Sequence, residues 1–219
     1  MSNKSTYVQM DFICDFLAGD APKVGKYGFP QLAQENHIPD SKVLPFNYFL
    51  STDRSSHWYH CFVADEQFRR LYWNFKHYIF FLRQARGLIS TDFSLYRDYD
   101  DDILAEICRK NRSVDYALQK ADIPFIPTAG FAGESSWEWC FDGLPSNSTV
   151  AVTTNCLGKD PEAHRLFIGG VDAMVKTLHP TAIIVCGKCP NWLFHKYQSI
   201  LIIQIPSYSQ MWQERVRYA

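Results

Sequence analysis

Short apolar runs alternate with longer amphipathic stretches along most of this chain. The runs that begin at Leu88 and Thr149 both end abruptly in polar residues, and a third, at 123–127, closes on Thr128. Short continuous apolar runs are typical of strands buried in a parallel sheet, and ligands of α/β proteins bind at the carboxyl ends of such strands. The pattern therefore predicts a parallel sheet and the edge at which a binding site lies.

Three long helices are predicted between these strands from apolar residues at helical spacing. The first covers 65–84, and the second begins near Asp101, where three consecutive aspartates suit the positive end of the helix dipole. The third has Asp160 as its cap and Pro161 as its first helical residue, and it stops at His179, before a proline.

Shorter apolar runs add further strands near both ends of the chain. Residues 45–50 and 58–63 are predicted strands joined by a polar turn at 53–56, and two more are predicted at 181–186 and 200–205, with a short helix at 191–198. About six or seven strands that alternate with helices imply right-handed crossovers and a mostly parallel sheet.

These elements predict a mixed α/β fold in which a reduced or distorted (β/α) barrel is favoured over an open twisted sheet. Residues 1–44 contain glycines and prolines without a period, so we expect a loop-rich N-terminal segment that wraps a single α/β domain at 45–219. No glycine-rich phosphate loop follows any predicted strand, which argues against a dinucleotide-binding domain.

Composition narrows the classes of function. The 219 residues are 47% hydrophobic, and 22 basic side chains nearly balance 23 acidic ones. That balance makes nucleic acid an unlikely partner, because proteins held by phosphate contacts normally have a basic face. No signal-peptide core and no apolar stretch of bilayer length is visible, so we expect a cytoplasmic protein with no membrane partner. The seven cysteines are expected to be reduced, and no metal site is predicted.

Asp92 is the best candidate for chemistry because it follows the predicted strand 88–91 directly. A carboxylate there is suited to act as a general base or to bind a sugar hydroxyl, with Ser94 and Arg97 as ligand-binding neighbours. Asn47 and Asn155, like Thr128, stand near the ends of other strands and are further candidates for ligand binding. The alternative is structural: Asp92 caps a turn and Arg97 is its partner.

The segment 133–145 offers aromatic rings and a second carboxylate. Strand-like alternation places Trp137 on the same side as two further aromatic rings, where an indole is able to stack on a sugar or a base. Glu134 is the predicted catalytic partner of Asp92, since glycoside cleavage uses paired carboxylates. A core-facing strand is the alternative for these aromatics. The basic run at 109–112 is expected to be a solvated helix face; the alternative is that it reaches a phosphate if its helix lies at the cleft.

Several short motifs, taken together and in order, resemble domain of unknown function 4417, a family of bacteria, bacteriophages and other mobile elements. The likeness covers roughly Phe46 to Gly187. The resemblance implies a bacterial or phage cytosolic protein, and it implies no reaction. The motifs are Ser90–Arg97, Arg109–Arg112, Ile123–Pro127, Phe141–Pro145, and Gly170 with Met174 ahead of His179-Pro180.

Two hypotheses for function follow. The first is a small enzyme, a hydrolase or transferase, that binds a sugar- or nucleotide-like small molecule at the strand ends. The second is a non-catalytic phage or mobile-element protein that inhibits or sequesters a host defence component by binding a host protein. Enzymatic status stays open at this point, and the sequence names no cofactor.

Overall fold

A computed structural model describes residues 12–155 and 157–217 of the chain. Nine strands are formed in the described residues. A small antiparallel hairpin near the N-terminus is followed by two parallel sheets. The strands are β1 (Lys23–Val24), β2 (Phe29–Pro30), β3 (Val43–Pro45), β4 (Trp58–His60), β5 (Gly87–Ile89), β6 (Phe125–Ile126), β7 (Thr149–Thr153), β8 (Ala182–Cys186) and β9 (Leu201–Ile205).

The two parallel sheets join into one seven-stranded ladder. Strands β3 to β6 pair in chain order, and so do β7 to β9. A parallel bridge between Thr128 and Ala151 connects β6 to β7: the Ala129 N–H donates to the Ala151 carbonyl at 2.8 Å, and the Ala151 N–H donates to the Pro127 carbonyl at 2.9 Å. The predicted parallel α/β fold is therefore confirmed.

The sheet curls strongly, so that its first and last strands approach each other. Tyr48 follows β3 and Tyr208 follows β9, and their ring centroids lie 6.2 Å apart. In the described part of the chain no ladder between β3 and β9 closes the sheet into a barrel. One face of the strands holds a compact apolar cluster that includes Val43, Ile89 and Ile184, while the other face packs against the helices in the larger core.

Most of the helices lie between strands, whereas only 3-10 helices connect β3 to β4 and β6 to β7. They are α1 (Asp65–Trp73), α2 (Phe75–Leu82), α3 (Asp101–Lys120), α4 (Pro161–Leu178), α5 (Asn191–Lys196) and α6 (Tyr208–Arg217), and residues 12–18 are also helical. The predicted start of α4 is confirmed, because the Asp160 carboxylate accepts the Glu162 N–H at 2.9 Å. Its end is also confirmed, since His179 turns into the left-handed conformation at φ 48°. No helix in the described ranges is long and apolar enough to cross a bilayer.

Two sequence predictions of local structure are wrong. The helix expected at 65–84 is two helices, because Asn74 leaves helical geometry at φ −128° and ψ 38°. The strand expected at 45–50 ends at Pro45, and a 3-10 helix, Phe46–Tyr48, follows. Its tight turn stacks the Phe46 and Phe49 rings at 4.9 Å. The polar turn predicted at 53–56 is present as a 3-10 helix, Arg54–Ser56, which Asp53 caps, and it links two parallel strands.

The aromatic segment is also not a strand. Glu134–Glu138 forms a 3-10 helix, which the Ser136 side chain stabilises. Its hydroxyl donates to the Gly133 carbonyl at 2.7 Å and accepts the Ala132 N–H at 3.1 Å. Local side-chain bonds of this kind compete with strand formation, and here they decide the conformation.

Candidate functional site

The inner face of the curled sheet changes from apolar to polar at the carboxyl ends of the strands. The apolar inner cluster includes Trp58, Ile89 and Ile126. Two residues after each of these in the chain come His60, Thr91 and Thr128, respectively. Side chains two residues apart point to the same face of a strand, so these three form a polar layer above the apolar one. All three are fully buried or nearly so.

Two atoms of this polar layer have no hydrogen-bond partner among the described residues: His60 Nε2 and Thr91 Oγ1. Burial lowers the pKa of His60 to about 3, so its ring is neutral. His60 Nδ1 accepts the Phe62 N–H at 3.2 Å, which places the ring hydrogen on Nε2 as an unused donor. Buried polar atoms without partners are uncommon, and water or a polar ligand group usually satisfies them.

Asp92 stands beside this layer, just beyond the end of β5. Burial raises the pKa of Asp92 to about 7; the Asp65 carboxylate adds to the rise, and Arg112 opposes it. Gly130 faces the carboxylate, because Asp92 Oδ1 lies only 3.6 Å from the position that a Cβ of residue 130 would take. The side chain keeps partial solvent exposure, which leaves it reachable from outside.

Asp65 supplies the second carboxylate. It is the first residue of α1, and it accepts the Ser94 N–H at 3.3 Å and the Ser94 hydroxyl at 3.1 Å. These bonds tie the loop after β5 to the first turn of α1. Lys110 completes the charged group: its Nζ lies 3.4 Å from the centroid of the Phe93 ring. Burial lowers the pKa of Lys110 to about 8, and the charge of Asp65 works against this decrease.

The basic run on α3 is not a solvated face, and that prediction is wrong. Arg112 is 2% exposed and donates to the carbonyls of Thr128 at 3.2 Å, Cys140 at 3.0 Å and Asp142 at 3.4 Å. Arg112 thus provides hydrogen bonds to backbone carbonyls in the part of the chain that follows β6. Asn111 is also buried and accepts the Phe93 N–H at 3.2 Å.

Asp115 is the buried acid beneath this arginine. Its carboxylate lies 3.7 Å from Arg112, and the side chain is wholly buried. Burial raises the pKa of Asp115 to about 7, against the lowering effects of Arg112 and of the Ser90 hydroxyl. The carboxyl ends of β5 and β6 therefore sit over two acidic groups that titrate near neutrality.

A cavity of about 590 Å³ opens at the carboxyl ends of β7, β8 and β9. Asn155 lies on its wall and connects it to the opposite side of the curled sheet, because the Asn155 amide donates to the Phe62 carbonyl at 3.4 Å. The cavity and the Asp92 region thus belong to the same end of the sheet.

The structure separates the other predicted residues. Arg97 pairs with Asp160 at the start of α4 at 3.0 Å, and both side chains are largely exposed. Glu134 is exposed and pairs with Arg165 of α4 at 2.5 Å, whereas the acidic neighbour of Asp92 is Asp65.

The remaining predicted residues occupy structural positions as well as strand ends. Trp137 packs over Gly169, where a Cβ would lie 2.3 Å from the indole. The Thr128 hydroxyl donates to the Thr91 carbonyl at 2.7 Å. Asn47 lies in the 3-10 helix after β3, and its Oδ1 is buried with no partner in the described residues.

Sequence reasoning missed His60, Asp65 and Lys110. The sequence pattern predicts only the start of a helix at Asp65, yet Asp65 follows a predicted strand as Asp92 does, so the same rule of strand ends points to it. His60 and Lys110 carry no comparable signal, because their roles depend on burial against distant residues.

A family model described as "Domain of unknown function (DUF4417)" matches residues 21–206. The chain belongs to the DUF4417 family. The match includes the whole polar layer, Asp65, Asp92 and most of the wall of the 590 Å³ cavity. The resemblance seen in the sequence motifs is therefore confirmed.

Two phage proteins are similar to this DUF4417 chain. The Gene 1 protein of Mycobacterium phage D29 is 23% identical over 129 residues, which is 59% of this chain and 48% of that protein. The Gene 1 protein of Mycobacterium phage L5 is 24% identical over 129 residues, which is 59% of this chain and 56% of that protein. The chain spans about half the length of these curated relatives. No solved structure matches it.

Proposed function

We propose that this DUF4417 protein is a small enzyme, a hydrolase or a transferase, that binds a sugar- or nucleotide-like ligand at the carboxyl ends of its strands. The supporting observation is Asp92. Its pKa of about 7 means that the acid and the carboxylate are both populated at neutral pH, so one side chain is able to give and to take a proton. We propose the cytoplasm as its place of action.

Asp92 would protonate a leaving oxygen or nitrogen, or take the proton from an attacking water or hydroxyl. Asp65, held by Ser94, would supply the second carboxyl group, whose charge contributes to the raised pKa of Asp92. Two carboxyl groups with different environments are the usual arrangement for acid–base work on glycosidic bonds.

Polar groups at the carboxyl ends of the strands fit a hydroxyl-rich ligand. The unused His60 N–H and Thr91 hydroxyl point to the inner face of the sheet, and Asn155 stands at the cavity wall. Asn47 and Thr128 close the neighbouring strands. Three predicted residues contact α4 or its N-cap and would form the rim of the site: Arg97, Trp137 and Glu134. Glu134 would serve as the second carboxylate only after its ion pair with Arg165 breaks.

Native mass spectrometry of the protein purified from a bacterial expression strain tests this proposal. We expect a retained small molecule, or turnover with a panel of nitrophenyl glycosides and nucleosides, and we expect Asp92→Asn to abolish either one. Asp98→Asn is the matched control, because Asp98 is an exposed aspartate of the same loop. Clean apo protein without turnover on any member of the panel would count against an enzyme.

The alternative is a non-catalytic phage protein that inhibits or sequesters a host defence component. Its support is the phage origin of the relatives together with exposed aromatic side chains, notably Phe80 at 66% and Trp212 at 55%. Aromatic residues are enriched in protein interfaces. A stoichiometric host partner captured by wild type and lost in Phe80→Ser or Trp212→Ser would favour it over the enzyme.

A further inference from the structure

Among the side chains that the structure describes, which do not include those of residue 156 and residues 214–217, no aspartate or glutamate lines the 590 Å³ cavity. Its wall carries Lys188 and His164 among hydroxyl and amide side chains of the loops after β7, β8 and β9. Another cavity of the described chain, of about 460 Å³, is instead lined by Asp101, Glu138 and Asp142. Among the described side chains, acidic residues therefore line one of these two cavities and not the other.

From this composition and the free donors described next, we infer that the cavity is a subsite for a phosphate group. The inference rests on the proposed function and narrows its ligand: it selects a phosphorylated, nucleotide-like molecule over a neutral sugar. A fully ionised phosphate needs hydrogen-bond donors and positive charge, and a nearby carboxylate would repel it.

Several donors in the cavity are unused within the described residues. Gln210 Oε1 accepts the Ser207 N–H at 2.8 Å, which leaves the Nε2 hydrogens of Gln210 free. The Ser207 and Ser209 hydroxyls lie 3.0 Å apart, so one bonds to the other and the second keeps a hydrogen to donate. Lys188 is exposed, and among the side chains that the structure describes, up to residue 213, no carboxylate forms an ion pair with it.

Backbone turns keep the floor of the cavity open. Gly187 has φ +106°, and a Cβ there would lie 2.5 Å from Thr154 Oγ1 and 3.0 Å from Asn155 Oδ1. Only glycine fits this turn, which holds Thr154 and Asn155 close over the end of β8. Gly158, at φ +51°, has no heavy atom within 4 Å of its Cβ position, so the loop after β7 leaves open space there.

The acid nearest along the chain is already neutralised. Asp160 follows Gly158 by two residues, but its carboxylate pairs with Arg97 at 3.0 Å and caps α4 through the Glu162 N–H at 2.9 Å. An anion in the cavity would therefore meet Lys188 and neutral donors. Asn155, which lines this cavity, also bonds to the Phe62 carbonyl after β4, so the cavity opens at the same end of the sheet as Asp92.

Titration of inorganic phosphate, followed by calorimetry at pH 7.5 and constant ionic strength, tests the subsite directly. We expect saturable binding to wild type and at least a fivefold loss of affinity in Lys188→Gln. Gln210→Glu keeps an oxygen to accept the Ser207 N–H but adds a negative charge to the cavity, and we expect it to abolish binding. Lys176→Gln is the matched control: Lys176 is an exposed lysine in the last turn of α4, outside the cavity, and binding should change less than twofold.

Phosphate that fails to saturate, or that binds Lys188→Gln and Gln210→Glu as well as wild type, would overturn the subsite. We expect Asp92→Asn to bind phosphate like wild type. Loss of turnover in this variant therefore tests the enzyme proposal separately from the phosphate subsite. Turnover of neutral glycosides without phosphate binding would remove the subsite and leave the enzyme. Phosphate binding that depends on Lys188, with no turnover of any substrate, would leave the subsite and remove the enzyme.

Discussion

Replacing Asp92 by asparagine should stabilise the protein at alkaline pH while it removes the proposed acid–base group. In the folded chain burial and Asp65 raise the pKa of Asp92 to about 7, whereas its ordinary value is 3.8. Between pH 3.8 and about pH 7, Asp92 is protonated in the folded state and ionised in the unfolded state. The free energy of unfolding of wild type therefore falls as pH rises through this window, and the loss is complete above about pH 7.

The size of the effect follows from the same two values. The gap between 3.8 and about 7 is equivalent to about 4 kcal/mol, at about 1.4 kcal/mol per pKa unit. Asp92 is partly exposed, so solvent screening reduces the figure, and we expect Asp92→Asn to gain about 1–3 kcal/mol at pH 8. For a chain of this length that is a rise in Tm of about 3–9 °C, which should shrink towards zero near pH 4.

This difference in the free energy of unfolding can be measured by thermal and urea unfolding between pH 4 and pH 9. The proteins to compare are wild type, Asp92→Asn and Asp98→Asn. Asp98 is exposed in the same loop, so its variant should follow wild type at every pH. Burial also raises the pKa of Asp115 to about 7, but all three proteins share that residue and the difference isolates Asp92. A variant that is less stable than wild type at pH 8, or a difference that does not vary with pH, would refute the reasoning.

Three further predictions concern neighbouring groups. Arg112→Ala should lower the free energy of unfolding by about 3–5 kcal/mol in urea titrations, because it strands three carbonyls and a buried carboxylate; a loss below 1 kcal/mol would contradict the buried network. Gly187→Ala should cost about 1–3 kcal/mol by the same measurement, whereas Gly133→Ala, with open space and φ −75°, should be nearly neutral. Asp65→Asn should shift the acidic limb of any pH–rate profile to lower pH by removing a like charge, while Glu134→Gln should leave it unchanged; the reverse result would assign the second carboxylate to Glu134.

Local signals explain which elements were predictable. The start of α4 needs only Asp160 and Pro161, both of which act within the first turn, and the sequence therefore located it correctly. The position of Asp92 at the end of β5 was equally predictable, because it follows from the apolar run itself. The break at Asn74 was not, since the apolar spacing of α1 and α2 continues across it.

Burial by distant residues explains the rest. A basic run on a helix is normally solvated, and nothing local distinguishes Arg112 from Arg109. The carbonyls that bind Arg112 belong to residues 16 to 30 positions away, and they come into place only when the chain after β6 has folded over α3. The pairing of Asp92 with Asp65 has the same origin: two strand ends meet only once the sheet has formed.

The strand order of the sheet bears on how the protein is made. Each strand from β4 to β9 pairs with the strand before it in the chain, so each finds its partner already synthesised. Loop closure then involves one connection between neighbouring strands at a time, which keeps its entropic cost small and allows assembly during translation. The same order exposes an unpaired edge after every strand, so chains that end early, for example before β8, should associate through that edge and aggregate.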